Sequence, residues 1–304
     1  MSWLSCNKPA EQSDQACSVI EALIIPNAKD LGGFSVRRVL PSTTHKMVGP
    51  FIFFDHLGPA TFPPGSGIDV RPHPHIGLAT ITYLFAGTIV HRDNLGNVQK
   101  ITPGDVNWMT AGKGIVHSER SDPIIRQSAE QVEGLQIWVA LPKKFEETVP
   151  QFNHYAANKL PVIEGDGYKV KVIAGAIMQH TSPVQTFSRL FYADVNVQVG
   201  ASFTMPNDYS QRALYILSGE LEIAGEKFIA GRMLIFKTAC SVTVNPITPV
   251  TMVILGGDPL DGPREVWWNF VASSTELIEQ AKRDWENGKF AAVPGETEFI
   301  PLPD

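Results

Sequence analysis

Short apolar runs, each of strand length and each closed by glycine, proline or another turn residue, recur along this chain. LATITYLF, KITPGDVNWM, GLQIWVAL, YKVKVIAGAI, SRLFYADVNV, ALYILSGELEI, EKFIAGRMLIF and VTMVILG all have this form and predict β-strands. Val170 and Val172 follow charged neighbours, and Leu221 and Ile223 alternate with Glu220 and Glu222. A two-residue period gives a strand one wet face and one face for a core. Many short strands with regular turns predict an all-β sandwich or barrel. Near the end the period changes. Ser273 and Glu276 have the spacing of a capping box, Leu277, Ile278, Ala281 and Trp285 fall on one face, and Glu279 and Arg283 are an i,i+4 pair. One α-helix packed against a barrel is expected there.

The pattern repeats weakly. FAGTIV leads through a turn to ITPGDVNWM, and LSGELEI leads through a turn to FIAGRMLIF; both read strand, turn, strand, Gly, strand. Two similar barrels are the economical reading, with a first domain over residues 1–145 and a second, including the helix, over 146–304. The join is expected in PKKFEETVPQFNHY, which is polar and reads as lacking strand alternation.

Composition narrows the function. The 304 residues are 43% hydrophobic and 18% charged, with a net charge of −6, and the basic pairs Arg37-Arg38 and Lys143-Lys144 are too short to contact nucleic acid. The three cysteines, Cys6, Cys17 and Cys240, are far apart, which fits a reducing compartment and no disulfide framework. MSWLSCNKPAEQSDQACSV has no apolar core of a secretory signal, and no apolar run is long enough to span a bilayer. The expected location is the cytoplasm, or the nucleus as well in a nucleated cell, without membrane or direct nucleic-acid contact.

The histidines carry the candidate chemistry. All eight lie at or before His180. His73-x-His75 and His117-x-Glu119 are i,i+2 pairs, so each pair can aim two groups to one side of a strand. His73 and His75 lie 14 and 12 residues before Gly87, while His117 and Glu119 lie 13 and 15 after Gly104. The same offsets around Gly219 and Gly231 fall on Met205, Asn207, Val244 and Pro246. A site, if present, belongs to the first half. Three imidazoles and a carboxylate suit Fe(II), Mn(II), Ni(II), Cu(II) or Zn(II), and do not suit Ca²⁺ or Mg²⁺. The rival reading is two polar turns that bind nothing. His45, His154 and His180 stand among polar neighbours, His91 sits beside Arg92, Asp93 and Asn94 at an expected turn, and His56 reads as a loop residue.

Gly67, His73-x-His75 and Gly87 follow the first signature of the cupin superfamily of small β-barrels, and Gly104, Gly112 and His117 follow the second loosely. MVGPFIFFDH, RPHPHIGLATITYL, PGDVNWMTAGKGIVHSE and VWWNFVASS resemble the pirin family of double-domain cupins over nearly the whole chain. The resemblance implies two cupin jelly-roll barrels with an iron site in the first. His73, His75, His117 and Glu119 would be its ligands. Glu119 would replace the usual glutamate of the first signature, whose place falls at Ala79 or Thr80. Loss of that glutamate would alter the surroundings of the ligands.

The resemblance also implies two classes of function. One is a quercetin 2,3-dioxygenase, opening a flavonol ring with O₂ and releasing carbon monoxide. Glu119 would act as the base, and Phe53, Ile76, Leu78, Trp108 and Met109 would line an apolar slot. The other is an iron-dependent, redox-sensing interaction module that binds a protein partner and co-regulates transcription or metabolism without turnover.

Overall fold

The computed structural model describes residues 10–12, 19–30 and 34–303. Cys6, Cys17 and most of the N-terminal stretch read for a signal lie outside the described residues. Among the described residues the regular structure is mostly β-strand, with one α-helix, Thr275–Glu286. No helix among the described residues is long and apolar enough to cross a membrane.

Alternation builds the first barrel from two sheets. The larger has the strand order Gln151–Tyr155, Val106–Thr110, Leu78–Ala86, Glu130–Ala140, Phe51–Phe62, Ser35–Leu40 and Asn27–Asp30. The smaller has the order Asp69–His75, Ile115–Arg120, Ile89–Asp93 and Val98–Ile101. Leu78, Met109, Phe53, Trp138 and Ile115 close one end of the interior, and Leu84, Leu57, Val132, Val70, Ile89 and Ile101 close the other. Between these apolar layers the inward positions turn polar: Thr82, Gln136, Asp55 and Arg38. Arg38 donates two 2.8 Å hydrogen bonds to the carboxylate of Asp55, which is fully buried. Such a belt survives in a core only because its members satisfy one another.

The second barrel is built likewise but its core is mostly apolar, with the fully buried Arg212 donating to the carbonyls of Lys237 and Cys240. Its large sheet contains Leu190–Val197, Gln211–Ser218, Met233–Phe236 and Val250–Gly257, and its small sheet contains Phe203–Met205 and Val242–Pro246. Met205 and Val244, at the offsets of His73 and His117, sit in its hydrophobic core. The large sheets stack face to face, sharing a core that includes Ile81, Tyr83, Trp108, Ile137, Tyr192, Tyr215 and Val253. The sheets also interleave across the expected join at residues 145 and 146. Ile20–Ile25 pairs with Met233–Phe236, and Gln151–Tyr155, in the segment expected to lack strand character, pairs with Val106–Thr110.

The helix buries Ile278 and Ala281 against Ile76, Trp268 and Phe270, so it leans on the first barrel. Its start departs from the expected capping box: Ser274 is the N-cap, and Ser273 donates its amide and hydroxyl to Glu146 instead. Nor do Glu279 and Arg283 form the expected pair; Glu279 meets Lys282 and Arg283 meets Gln280.

Candidate metal centre

The strands Asp69–His75 and Ile115–Arg120 run antiparallel, with His73 opposite His117 and His75 opposite Ile115. The register then slips, so that Glu119 stands opposite Val70. The extra residue falls at Arg71-Pro72, and Pro72 has no N–H to give to a ladder. After His75 the chain turns through Gly77 at φ +68°, where a Cβ would run into the carbonyl oxygen of Val271. Only glycine fits that approach.

The three imidazoles converge. One nitrogen from each of His73, His75 and His117 lies within 4.8 Å of the others, and all three residues are buried. His73 Nδ1 donates to the Arg71 carbonyl at 2.8 Å, and His75 Nδ1 donates to the Asn269 carbonyl at 3.1 Å. Those commitments leave the Nε2 lone pairs facing inward. Burial drives all three rings well below the ordinary histidine pKa, and neighbouring imidazoles push His73 and His117 further the same way. Neutral imidazole is the form that ligates a metal. His75 Nε2 and His117 Nε2 are 3.1 Å apart. Two cis ligands held about 2.1 Å from one ion would stand roughly that far apart. By donor type, protonation and spacing, the cluster fits a transition-metal ion.

Glu119 is buried on the same strand, two residues beyond His117, but its carboxylate is not in the 4.8 Å set. Its Oε1 lies 3.1 Å from the Thr82 hydroxyl, which is also 3.0 Å from Gln136 Oε1. One hydroxyl proton serves two acceptors, so Thr82 keeps a partner if Glu119 turns away. Of the two positions for the missing signature glutamate, Ala79 lies in the layer between the large sheets and Thr80 shares the inward face with Thr82. Ala79 therefore points away from the histidines.

Other expectations need correction. Phe53, Leu78 and Met109 do face the interior next to the site, but Trp108 faces the opposite side, in the core between the barrels. Adjacent strand residues alternate, so Trp108 and Met109 cannot share a face. Ile76 packs under the C-terminal helix. His56 is a buried strand residue, bonded to the hydroxyl of Tyr215 in the second barrel at 3.0 Å. His91, read as a turn residue, is buried in a strand, with its Nδ1 3.3 Å from His117 Nδ1 and its Nε2 2.9 Å from Asp93 Oδ2. The missed signal was His91-x-Asp93 itself, a third i,i+2 polar pair.

The C-terminal segment braces both ligand-bearing strands from outside. The Ile300 amide donates to the Pro72 carbonyl, and Glu296 accepts from Ser118 and, at both oxygens, from Arg120. A cleft of about 450 Å³ beneath this segment is lined by Pro72, Val116, Trp285, Phe290 and Phe299 among others. Pro72 and Val116 alternate with His73 and His117, so the sheet separates that cleft from the site.

The Pirin domain profile matches residues 33–139, and that of the Pirin C-terminal cupin domain matches residues 192–291. A pirin-like protein of Caulobacter vibrioides is 45% identical over 94% of this chain and 100% of its own length. A Pseudomonas aeruginosa protein provisionally named a quercetin 2,3-dioxygenase is 38% identical, over 84% of this chain and 80% of its own length. A crystal structure of quercetin 2,3-dioxygenase from Acinetobacter baumannii aligns with a TM-score of 0.86 at 33% identity, covering 93% of this chain and 94% of that one. Both halves match, and the chain belongs to the pirin family of two-cupin proteins.

Proposed function

We propose that this chain is a metal-dependent dioxygenase of the quercetin 2,3-dioxygenase type, with Fe(II) as its working metal. The convergence of three buried, neutral imidazoles with a carboxylate two residues from one of them supports this reading. The name borne by relatives of this chain supports it too. His73, His75 and His117 would hold the ion, with Glu119 as the fourth ligand. When bound, the ion would supply Lewis acidity towards the flavonol 3-hydroxyl and its neighbouring carbonyl, in a mixed N/O site that leaves positions open.

The chain's own residues supply the rest. Glu119 takes the proton of the flavonol 3-hydroxyl; the Thr82 hydroxyl holds the carboxylate when it is turned away from the histidines and passes to Gln136 Oε1 when it is not. The apolar layer of Phe53, Leu78, Met109 and Trp138 excludes water beside His75 and gives a planar aromatic substrate an apolar wall. Trp138 stacks on Phe53 at 3.9 Å and sets its ring edge-on to His75 at 5.1 Å, which fixes that wall. Uptake of O₂ then accompanies ring opening and release of carbon monoxide.

The test is O₂ uptake and carbon monoxide release by Fe(II)-loaded protein given quercetin, beside a Glu119→Gln variant. Equal amounts of O₂ consumed and carbon monoxide formed are expected, with the rate in the variant lower by about 10²–10⁴-fold. Absence of O₂ uptake by protein carrying its full iron would contradict the reading and favour the interaction module.

A further inference from the structure

Asp93 is ringed by hydrogen-bond donors, which favour its charged carboxylate form. The backbone amides of Leu95 and Asn97 donate to its Oδ1 at 2.9 and 3.1 Å, and the Asn97 side-chain amide donates to both oxygens at 3.0 and 2.9 Å. Asp93 is fully buried, so these bonds are shielded from water. A carboxylate so placed only accepts. His91 Nε2, 2.9 Å from Asp93 Oδ2, must therefore carry a proton.

The next step follows from tautomerism. A neutral His91 with its proton on Nε2 has a lone pair on Nδ1, and that atom faces His117 Nδ1 at 3.3 Å. His117 must then hold its own proton on Nδ1 and present a lone pair at Nε2. Phe152 locks the intermediate ring, stacking on His91 at 4.1 Å and 11°. Pairing sets the frame, for His117 stands opposite Asp93 and Glu119 opposite His91. With His73 and His75 fixed by backbone carbonyls, all three rings offer Nε2 to the same point.

We infer that His91 and Asp93 form a positioning relay that fixes the Nε2-ligating tautomer of His117 and makes that ring a stronger metal ligand. Unlike His73 and His75, His117 hands its Nδ1 proton to a second imidazole anchored on a carboxylate. A charged end point draws the bridging protons outward and puts more electron density on the ligating nitrogen than a carbonyl does. The relay rests on the metal-centre reading and is independent of the substrate.

The test uses the full-length chain with Zn(II), which permits ring-nitrogen NMR. In ¹⁵N-histidine-labelled wild type, His91 is expected as the Nε2–H tautomer and His117 as the Nδ1–H tautomer with Nε2 shifted by the metal. His91→Phe keeps the stack on Phe152 and removes the acceptor, and is expected to weaken Zn(II) binding by about 10–100-fold in chelator competition. His91→Gln restores an acceptor oxygen and is expected to recover most of that loss. An Nδ1–H tautomer at His91, or undiminished Zn(II) affinity in a folded His91→Phe variant, would overturn the relay. If His91→Phe does not fold, the wild-type tautomers still decide the matter. Wild-type protein that takes up no Zn(II) would overturn the metal centre itself, and the relay with it.

Discussion

An unfolded histidine takes up a proton as pH falls through about 6.5, and His73, His75 and His117 in the folded barrel do not, because burial holds each well below that value. Below about pH 6.5 the unfolded chain therefore binds more protons than the folded one, and stability falls with pH. Each such group adds a slope of about 1.4 kcal/mol per pH unit over that window. The urea midpoint of metal-free protein should drop between about pH 7.5 and 5.5, and drop less steeply in a His73→Gln, His75→Gln variant; equal slopes would contradict the burial argument. Asp55 makes the opposite case of a buried charge that is paired. Asp55→Ala strands the Arg38 guanidinium, at a cost of about 3–5 kcal/mol by urea denaturation, and a loss below about 1 kcal/mol would show that the pair contributes little. The facing of His73 and His75 was legible from their i,i+2 spacing, while their meeting with His117 depends on the pairing of two strands. His91 was not legible, since its role depends on the neighbour that strand pairing supplies, and Arg92, Asp93 and Asn94 disguised a strand end as a turn.

Among the elements, the apolar runs found many of the longer strands, and YKVKVIAGAI coincides with the strand Tyr168–Ile177. The period gives faces without saying which core each face meets. Even positions of Leu78–Ala86 face the interior of the first barrel, while Ala79, Ile81 and Tyr83 face the second barrel, and both faces are buried through Leu84. That is why Trp108 was misassigned. The helix was legible in its apolar face but not in its cap, because Glu146, 127 residues before Ser273, takes Ser273 by a tertiary bond. The outer brace on the ligand strands was hidden for the same reason. Glu296 is largely buried against Arg120, with bonds of 2.7 and 3.0 Å, and Arg120 holds its carboxyl below the usual range. Glu296→Ala should lower folding stability by about 2 kcal/mol in urea titration; an unchanged midpoint would show that this end of the segment rests passively on the barrel.

At the scale of the whole molecule, two barrels of one plan differ in what fills them. In the second, Met205 and Val244 take the offsets of His73 and His117 and join an apolar core; in the first, a polar belt and a histidine cluster lie between two apolar layers. The offset comparison had already confined the site to the first half. It did not reveal that Ile20–Ile25 and Gln151–Tyr155 each close the other half's sheet, because strand exchange leaves no mark in local periodicity. The central claim is that His73, His75 and His117 hold one metal ion, and metal analysis of Fe(II)-reconstituted, desalted protein tests it most directly. One equivalent in the wild type, lost in a His117→Ala variant that still melts cooperatively, is the predicted result. A full equivalent retained by that variant would contradict the account.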